Sequence, residues 1–403
     1  MAGDNCLHVK GQTCPFYLRR CIRRMLKTNI DSLPDDIVFD ILVHIPAQDI
    51  YNATRLVCRK WYQMILTHNF IHVHLQHSTC GLLIKNWLDR TSHPTFVAMP
   101  QGRIEISKLS DKFNHLFLSS CNGLILEFDC LKSYVLYIAN PVTKQRSALP
   151  TFSANTTSDC SAIAYAATSM EYKVVNTCYF MNGNTDEFEQ HCAILTVGVD
   201  KSWRRVNIQH LSLTAKELLK RTPFATEGFV HWAQNNLRVV NGEPQYILTL
   251  NVETEIITQI PVPLVHSERL GYYHYLSMGS YLSLLIECSE FSWEVWEMKP
   301  ETGEWTKMPK IDLEAQKCTF EQLCCKYDSC GSLTCSLLPV GWLKSKEVLV
   351  FNVFKEHTLP IFISPWFCIA YNVRTREIYS IELDSICNTF LVHRNSLVWL
   401  DGC

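Results

Sequence analysis

Five cysteines within 18 residues, Cys318, Cys324, Cys325, Cys330 and Cys335, are the densest collection of potential ligands in the chain. Structural zinc asks for cysteines paired at short, fixed spacing with a second pair at a distance. Here the gaps are irregular and no Cys-x-x-Cys occurs among the 19 cysteines. The run reads as a cysteine-rich loop ahead of a strand, with zinc as the alternative. Hydrolytic, nucleotide-dependent and redox enzymes also leave compact signatures. The sequence has no nucleophile elbow, no P-loop, no paired-His zinc helix and no dinucleotide fingerprint, and its His, Asp and Glu are scattered. These residues predict a chain with no catalytic centre, cofactor or metal, whose work is binding.

The bulk properties agree. A chain of 403 residues suggests two domains, and a hydrophobic fraction of 47% can fill real cores. A formal net charge of −2 argues against nucleic acid as an obligate ligand. The one basic run, Arg19–Lys27, reads as a solvated helix face or tail, with a nuclear-import signal or a contact to an acidic partner as alternatives. No segment has signal-peptide or membrane-span character, so a soluble protein of the cytoplasm and/or nucleus is expected. The cysteines are then mostly reduced, and the sequons at Asn52 and Asn155 are silent.

The stretch "SLPDDIVFDILVHIP", residues 32–46, opens like a helix, with Ser32 as cap, Pro34 early and Asp35 and Asp36 near the positive end of the dipole. At 100° per residue Ile37, Val38, Ile41, Leu42 and Ile45 share one arc, while Phe39 and Val43 fall on a second. Only Asp40 and His44 form a polar strip. That is more apolar surface than one small core needs. Pro46 separates this helix from a second, capped by Asp49, in which Val57, Cys58, Trp61, Met64 and Ile65 recur at helical steps.

Past residue 78 the chain reads as strands. Four hairpins repeat: "YVLYIANPVTKQRSALP", "YILTLNVETEIITQIP", "EVWEMKPETGEWTKMP" and "FCIAYNVRTREIYSIEL", with "ILTVGVDKSWRRVNI" as a degenerate fifth. Each alternates around a Thr-containing turn, at a spacing of roughly 50 to 70 residues. Turn positions Asn140, Asp200, Asn251, Pro300 and Asn372 mark the copies. Such a period predicts four-stranded propeller blades over Leu116–Pro150, Ser161–Ile208, Glu227–Pro261, Tyr272–Pro309 and Ser336–Leu383. Strand-like remnants at the start of this region and at the C-terminus combine into one more blade, which closes the ring and removes exposed sheet edges. Six blades are expected, with five or seven as neighbouring counts and a β-sandwich as the alternative fold.

The helical stretch closely resembles the F-box, through Leu33-Pro34-Asp35, Ile37, Ile41-Leu42, Ile45-Pro46 and Val57-Cys58-Arg59-Lys60-Trp61. His44-Ile45 and Asp49 depart mildly from that pattern. The remainder resembles the F-box-associated interaction region of plant F-box proteins, through "SCNGLILEF", "LYIANPVTKQRSALP" and "EVWEMKPETGEWTKM". The kelch-type Gly-Gly pairs are absent. The resemblance implies an α+β multidomain chain: a basic extension over 1–30, a small helical F-box over 31–77, and an all-β propeller over 78–403.

In function it implies a non-catalytic substrate receptor of a Skp–Cullin–F-box ubiquitin ligase. Leu33, Pro34, Ile37, Ile41, Leu42, Ile45, Pro46, Leu56, Val57, Cys58 and Trp61 would meet the Skp-family adaptor, and through it the cullin and RING subunits. The propeller would hold an unidentified target protein. A scaffold that uses the adaptor without degrading anything is the alternative. Loops Phe152–Asp159, Met181–Gln190, Val265–Tyr273 and Lys355–Ser364 are the candidates for target contact.

Overall fold

The computed structural model describes residues 33–400 apart from 87–92, 110–112, 114, 130–134, 152–159, 182–187, 235–244, 264–271, 328–334, 345, 356–366 and 384–387. The basic run Arg19–Lys27, Ser32 and Cys330 lie outside the described residues, as do 152–159, 182–187, 265–271 and 356–364 of the four candidate loops.

Strands after residue 79 form six antiparallel sheets arranged as the blades of a propeller. Blade 1 joins Asn388–Arg394, from the C-terminal end, to Cys80–Asn86, Thr95–Ala98 and Glu105–Lys108. Its seam runs from Cys80 opposite Arg394 to Asn86 opposite Asn388, so strands from both ends close the ring as expected. Blades 2 to 6 begin at Leu116, Ser161, Phe224, Tyr273 and Cys335. Blade 4 thus starts a strand earlier than the repeat suggests, with the short Phe224–Thr226 on its inner edge. Blade 5 carries a fifth strand, Ile311–Asp312, against Ser292–Lys299.

The hairpin repeat has a local cause. In Asn251-Val252-Glu253-Thr254-Glu255 the Asn251 Oδ1 accepts from the backbone N–H groups of Glu253 (2.9 Å) and Thr254 (3.2 Å). The Glu255 N–H then donates to the Asn251 carbonyl at 2.8 Å, with Glu255 in the left-handed region at φ 59°. Asn140 and Asn372 repeat the side-chain bonds, and Lys144 and Arg376 repeat the positive φ. Asparagine suits this place because its short side chain mimics a backbone turn. In blade 5 Lys299, not Pro300, holds the equivalent place, and Gly303 takes the positive φ. In blade 3 Asp200 closes the turn rather than opening it, reaching back to the Thr196 N–H at 2.7 Å.

Between every pair of adjacent blades lies an apolar cluster. Most central strands are therefore buried on both faces; Leu124–Asp129 has no exposed residue. Trp203 and Trp305 pin blades together from the outside. Each indole N–H donates at 2.8 Å to the carbonyl of a proline ending the previous blade, Pro150 and Pro261 respectively.

The helical stretch forms α1 (Asp35–Val43), α2 (Ala47–Asn52), a 3-10 turn at Thr54–Leu56, α3 (Arg59–Ile65) and α4 (His68–His77). Pro34 precedes the first turn of α1 without a side-chain cap, and Pro46 does the same for α2. Asp49 sits inside α2 and caps nothing; the expected second helix is in fact three elements, interrupted at Ala53 and Cys58. Ser212 caps a further short helix, α5 (Leu213–Leu218), between blades 3 and 4. The cysteine-rich "loop" is largely a helix, α6 (Lys317–Tyr327), whose Phe320 is fully buried and stacks on Phe291 at 5.8 Å. Among the described residues no helix is long and apolar enough to cross a membrane.

Candidate functional site

Helix α1 divides its apolar residues between two neighbours. Val38, Leu42 and Val43 are buried together with Ala47, Ile50, Ile65 and Phe70. Two propeller residues complete this cluster: Val142, from the hairpin turn of blade 2, and Leu397, from the C-terminal segment. Phe39 meets Phe70 of α4 edge-on at 5.3 Å. The inward side therefore welds the helices to the propeller.

Outside that weld, Leu33 (36% exposed), Ile37 (42%) and Ile41 (51%) form a stripe at four-residue steps. Leu56 (69%) and Val57 (41%) add to it at the approach to α3. The Lys60–Asp35 ion pair ties the start of α3 to the start of α1. Pro34 and Pro46 are exposed, whereas Ile45, Cys58 and Trp61 are half-buried. Leu42 is different. It is 0% exposed, so it has no surface to give a partner and can only support the helix that does. The first arc seen in the sequence is thus split: its Ile37 and Ile41 face out, and its Val38 and Leu42 face in. Tyr62 and Leu66 are also exposed, and the sequence reading passed over them. Their four-residue step, offset from the Trp61/Ile65 stripe, was the available signal.

The module is held at a fixed attitude. His74 Nε2 donates to the Ile45 carbonyl at 2.9 Å, and burial lowers the pKa of this imidazole, keeping it neutral. Arg394, at the end of the innermost strand of blade 1, donates to the Leu75 carbonyl in the last turn of α4 at 3.2 Å. Asn140 Nδ2 donates to the carbonyls of Ser396 (3.2 Å) and Val398 (2.7 Å), clasping the C-terminal segment. Trp399 of that segment lies 5.9 Å from the Tyr51 ring of α2.

Strand direction fixes which loops share a face. In blades 2 to 6 the connection from first to second strand, and in every blade the one from third to fourth, lies on the side of the helices; Asn122, Thr168, Glu253 and Glu301 lie there beside α4. The other connections open on the opposite face. The strand ends flanking all four candidate loops, Ala148 and Ser161, Met181 and Phe188, Pro261 and Tyr273, Lys355 and Phe367, belong to that far face.

No cluster of three metal-ligating side chains occurs among the described residues. Cys318 is exposed on α6. Burial pushes the thiols of Cys121 and Cys178 up to about 12, which leaves them protonated and unreactive.

A family model described as "F-box associated beta propeller domain" matches residues 78–393, and one described as "F-box-like" matches residues 30–75. The chain belongs to the F-box proteins with an F-box-associated β-propeller. Its relatives include F-box only protein 15 of Arabidopsis thaliana, 25% identical over 68% of this chain and 70% of that one. The Arabidopsis thaliana F-box protein At3g07870 is 23% identical over 67% of this chain and 70% of its own. Among solved structures, the periplasmic gluconolactonase of Pseudomonas aeruginosa overlaps 78% of this F-box protein and 99% of its own chain, at 9% identity and a TM-score of 0.35. An overlap that low bears on nothing beyond itself. The six-bladed ring and the N-terminal F-box helices support a substrate-recognition role, and this receptor-type family fits a non-catalytic adaptor.

Proposed function

We propose that this F-box protein is the substrate receptor of a Skp–Cullin–F-box ubiquitin ligase. The F-box docks on the Skp-family adaptor, and the far face of the propeller holds a target protein for ubiquitination by other subunits. The observation that carries this reading is the outward stripe Leu33, Ile37 and Ile41 on a helix whose other apolar side is already buried against the other F-box helices and the propeller. Contiguous exposed apolar surface of this kind marks an interaction site. Leu33, Pro34, Ile37, Ile41, Pro46, Leu56 and Val57 would touch the adaptor, Tyr62 and Leu66 would extend the contact, and Ile45, Cys58 and Trp61 would back it.

The chain's contribution to the chemistry is proximity. Holding a target on a body rigidly joined to the F-box raises the effective concentration of its lysines near the loaded conjugating enzyme. The far face suits the target because the adaptor-binding helices crowd the near one.

The Leu33→Ala, Pro34→Ala double variant tests the docking assignment. It should lose adaptor in a pull-down while its thermal melt and its capture of the target stay as in wild type. Wild-type recovery of adaptor by the double variant would sink the assignment. Reconstituting the ligase and looking for ubiquitin on the bound target separates a degradative receptor from a scaffold.

A further inference from the structure

On the axis of the propeller, opening on the F-box face, lies a cavity of about 550 Å³. The inner strands of blades 1, 2, 4, 5 and 6 line it, each with the half that ends beside the F-box. Its volume falls within the range of small-molecule sites, and its wall joins apolar and aromatic side chains to hydroxyl-bearing ones, among them Ser119, Ser277 and Thr226. Tyr275, Tyr281, Trp342 and Phe390 supply rings. Within the wall Ser120 Oγ and His393 Nδ1 hydrogen-bond each other at 2.8 Å. His393 is buried and burial lowers it to about 4, so it stays neutral. Lys344 is occupied by an ion pair with Glu347. Burial raises the thiol pKa values of Cys80 and Cys121, keeping both uncharged.

Two charges remain at the rim. Glu227 is exposed, where solvent and salt screen it. Arg394 is half-buried and spends its guanidinium on the Leu75 carbonyl and on the Cys80 thiol, but a guanidinium carries five donors. A partly desolvated cation with donors to spare, at the end of an aromatic pocket, selects an anion attached to an apolar body. Asn122, Glu227, Ser280 and Arg394 also line a second cavity of about 450 Å³ beneath α4. The axial cavity therefore adjoins the one on the underside of the F-box.

We propose that the axial cavity binds a small molecule with a ring-sized apolar body and a single anionic group such as a carboxylate, the body against Tyr275, Trp342 and Phe390 and the anion on Arg394. The site is independent of the receptor reading and sits on the opposite face from the proposed target. Because Arg394 also holds α4, an occupant bears directly on the joint between propeller and F-box.

Two fluorescent probes with one shared body test the idea on the full chain: anilinonaphthalene sulfonate, which is anionic, and N-phenylnaphthylamine, which is neutral. Both should saturate one site. Ser277→Phe, which fills the cavity from its wall, should abolish both signals, and Ser280→Trp at the rim should repeat the block without altering the wall. Arg394→Gln should weaken the sulfonate about tenfold, as loss of one charge-assisted bond does, and leave the neutral probe within about twofold. Probe binding that survives both blocking variants belongs to the exposed F-box stripe and overturns the site. Equal weakening of both probes by Arg394→Gln overturns the anion preference, and failure of both probes to bind the full chain overturns the proposal outright.

Discussion

Glu127 is a carboxyl with no exposed surface between blades 1 and 2, and its position makes stability depend on pH. Arg146 Nη2 donates to its Oε2 at 2.8 Å, while Oε1 has no hydrogen-bond partner. Lys85, from blade 1, approaches but spends its ammonium on the carbonyls of Phe113 and His115. Burial outweighs both cations and pushes Glu127 up to about 7 from 4.5. A folded pKa above the unfolded one means that the native state binds the extra proton. The favourable contribution is complete below about pH 4.5, falls as pH rises toward 7 and is gone above it. A shift of this size corresponds to roughly 3 kcal/mol. His115 and Asp129 form a second pair nearby, 3.6 Å apart, so the comparison must be between wild type and Glu127→Gln. Denaturant melts from pH 5 to 8 should show wild type losing stability relative to the variant as pH rises. Parallel curves would contradict this account. Nothing in the sequence around Glu127 signals a buried carboxyl, because the strand alternation that places it inward depends on a neighbouring blade.

At the scale of elements, α1 is where sequence periodicity told half the story. Spacing alone showed too much apolar surface on a nine-residue helix but could not assign sides. The deciding partners, Val142 and Leu397, lie about 100 and 350 residues away in the chain, beyond any local window. The Asn-centred hairpins were legible because their cause is local: one side chain satisfying two N–H groups within three residues. Helix α6 was not, since its main anchor is Phe320 against Phe291 of another segment. The two sides of α1 predict opposite phenotypes for adjacent residues. Leu42→Ala should cost about 2–5 kcal/mol in chemical denaturation, the usual range for a buried leucine. Ile41→Ala should change stability by no more than about 0.5 kcal/mol and should weaken adaptor binding. Equal stability losses at both positions would show that α1 has no free side.

At the scale of the whole molecule, two different jobs fall to the last residues of the chain. Asn388–Arg394 is the inner strand that closes blade 1, and six blades could be anticipated because an unpaired strand at one end of the chain needs a partner from the other. The following residues, Ser396 to Leu400, belong to the F-box joint. Leu397 is inside the shared core, Ser396 and Val398 are clasped by Asn140, and the Leu400 N–H donates to Gln145 Oε1 at 2.9 Å. Gly123 permits the close approach, since a Cβ there would lie 2.1 Å from Ser396 Oγ. Two truncations separate these jobs. Ending the chain after Arg394 removes the clasp and keeps all six sheets; hydrogen exchange should rise in α1 and α4 and stay slow in the central strands of the blades. Ending it before Asn388 also removes the closing strand; Cys80–Asn86 then has a free edge, and exchange should rise through blades 1, 2 and 6 together. If the shorter deletion loosened the blades as much as the longer one, the clasp and the closure would be a single cooperative unit. If it left the helices as protected as before, the F-box would hold to the propeller through contacts the deletion spares, among them Val142, Ile71 and the Arg394–Leu75 bond.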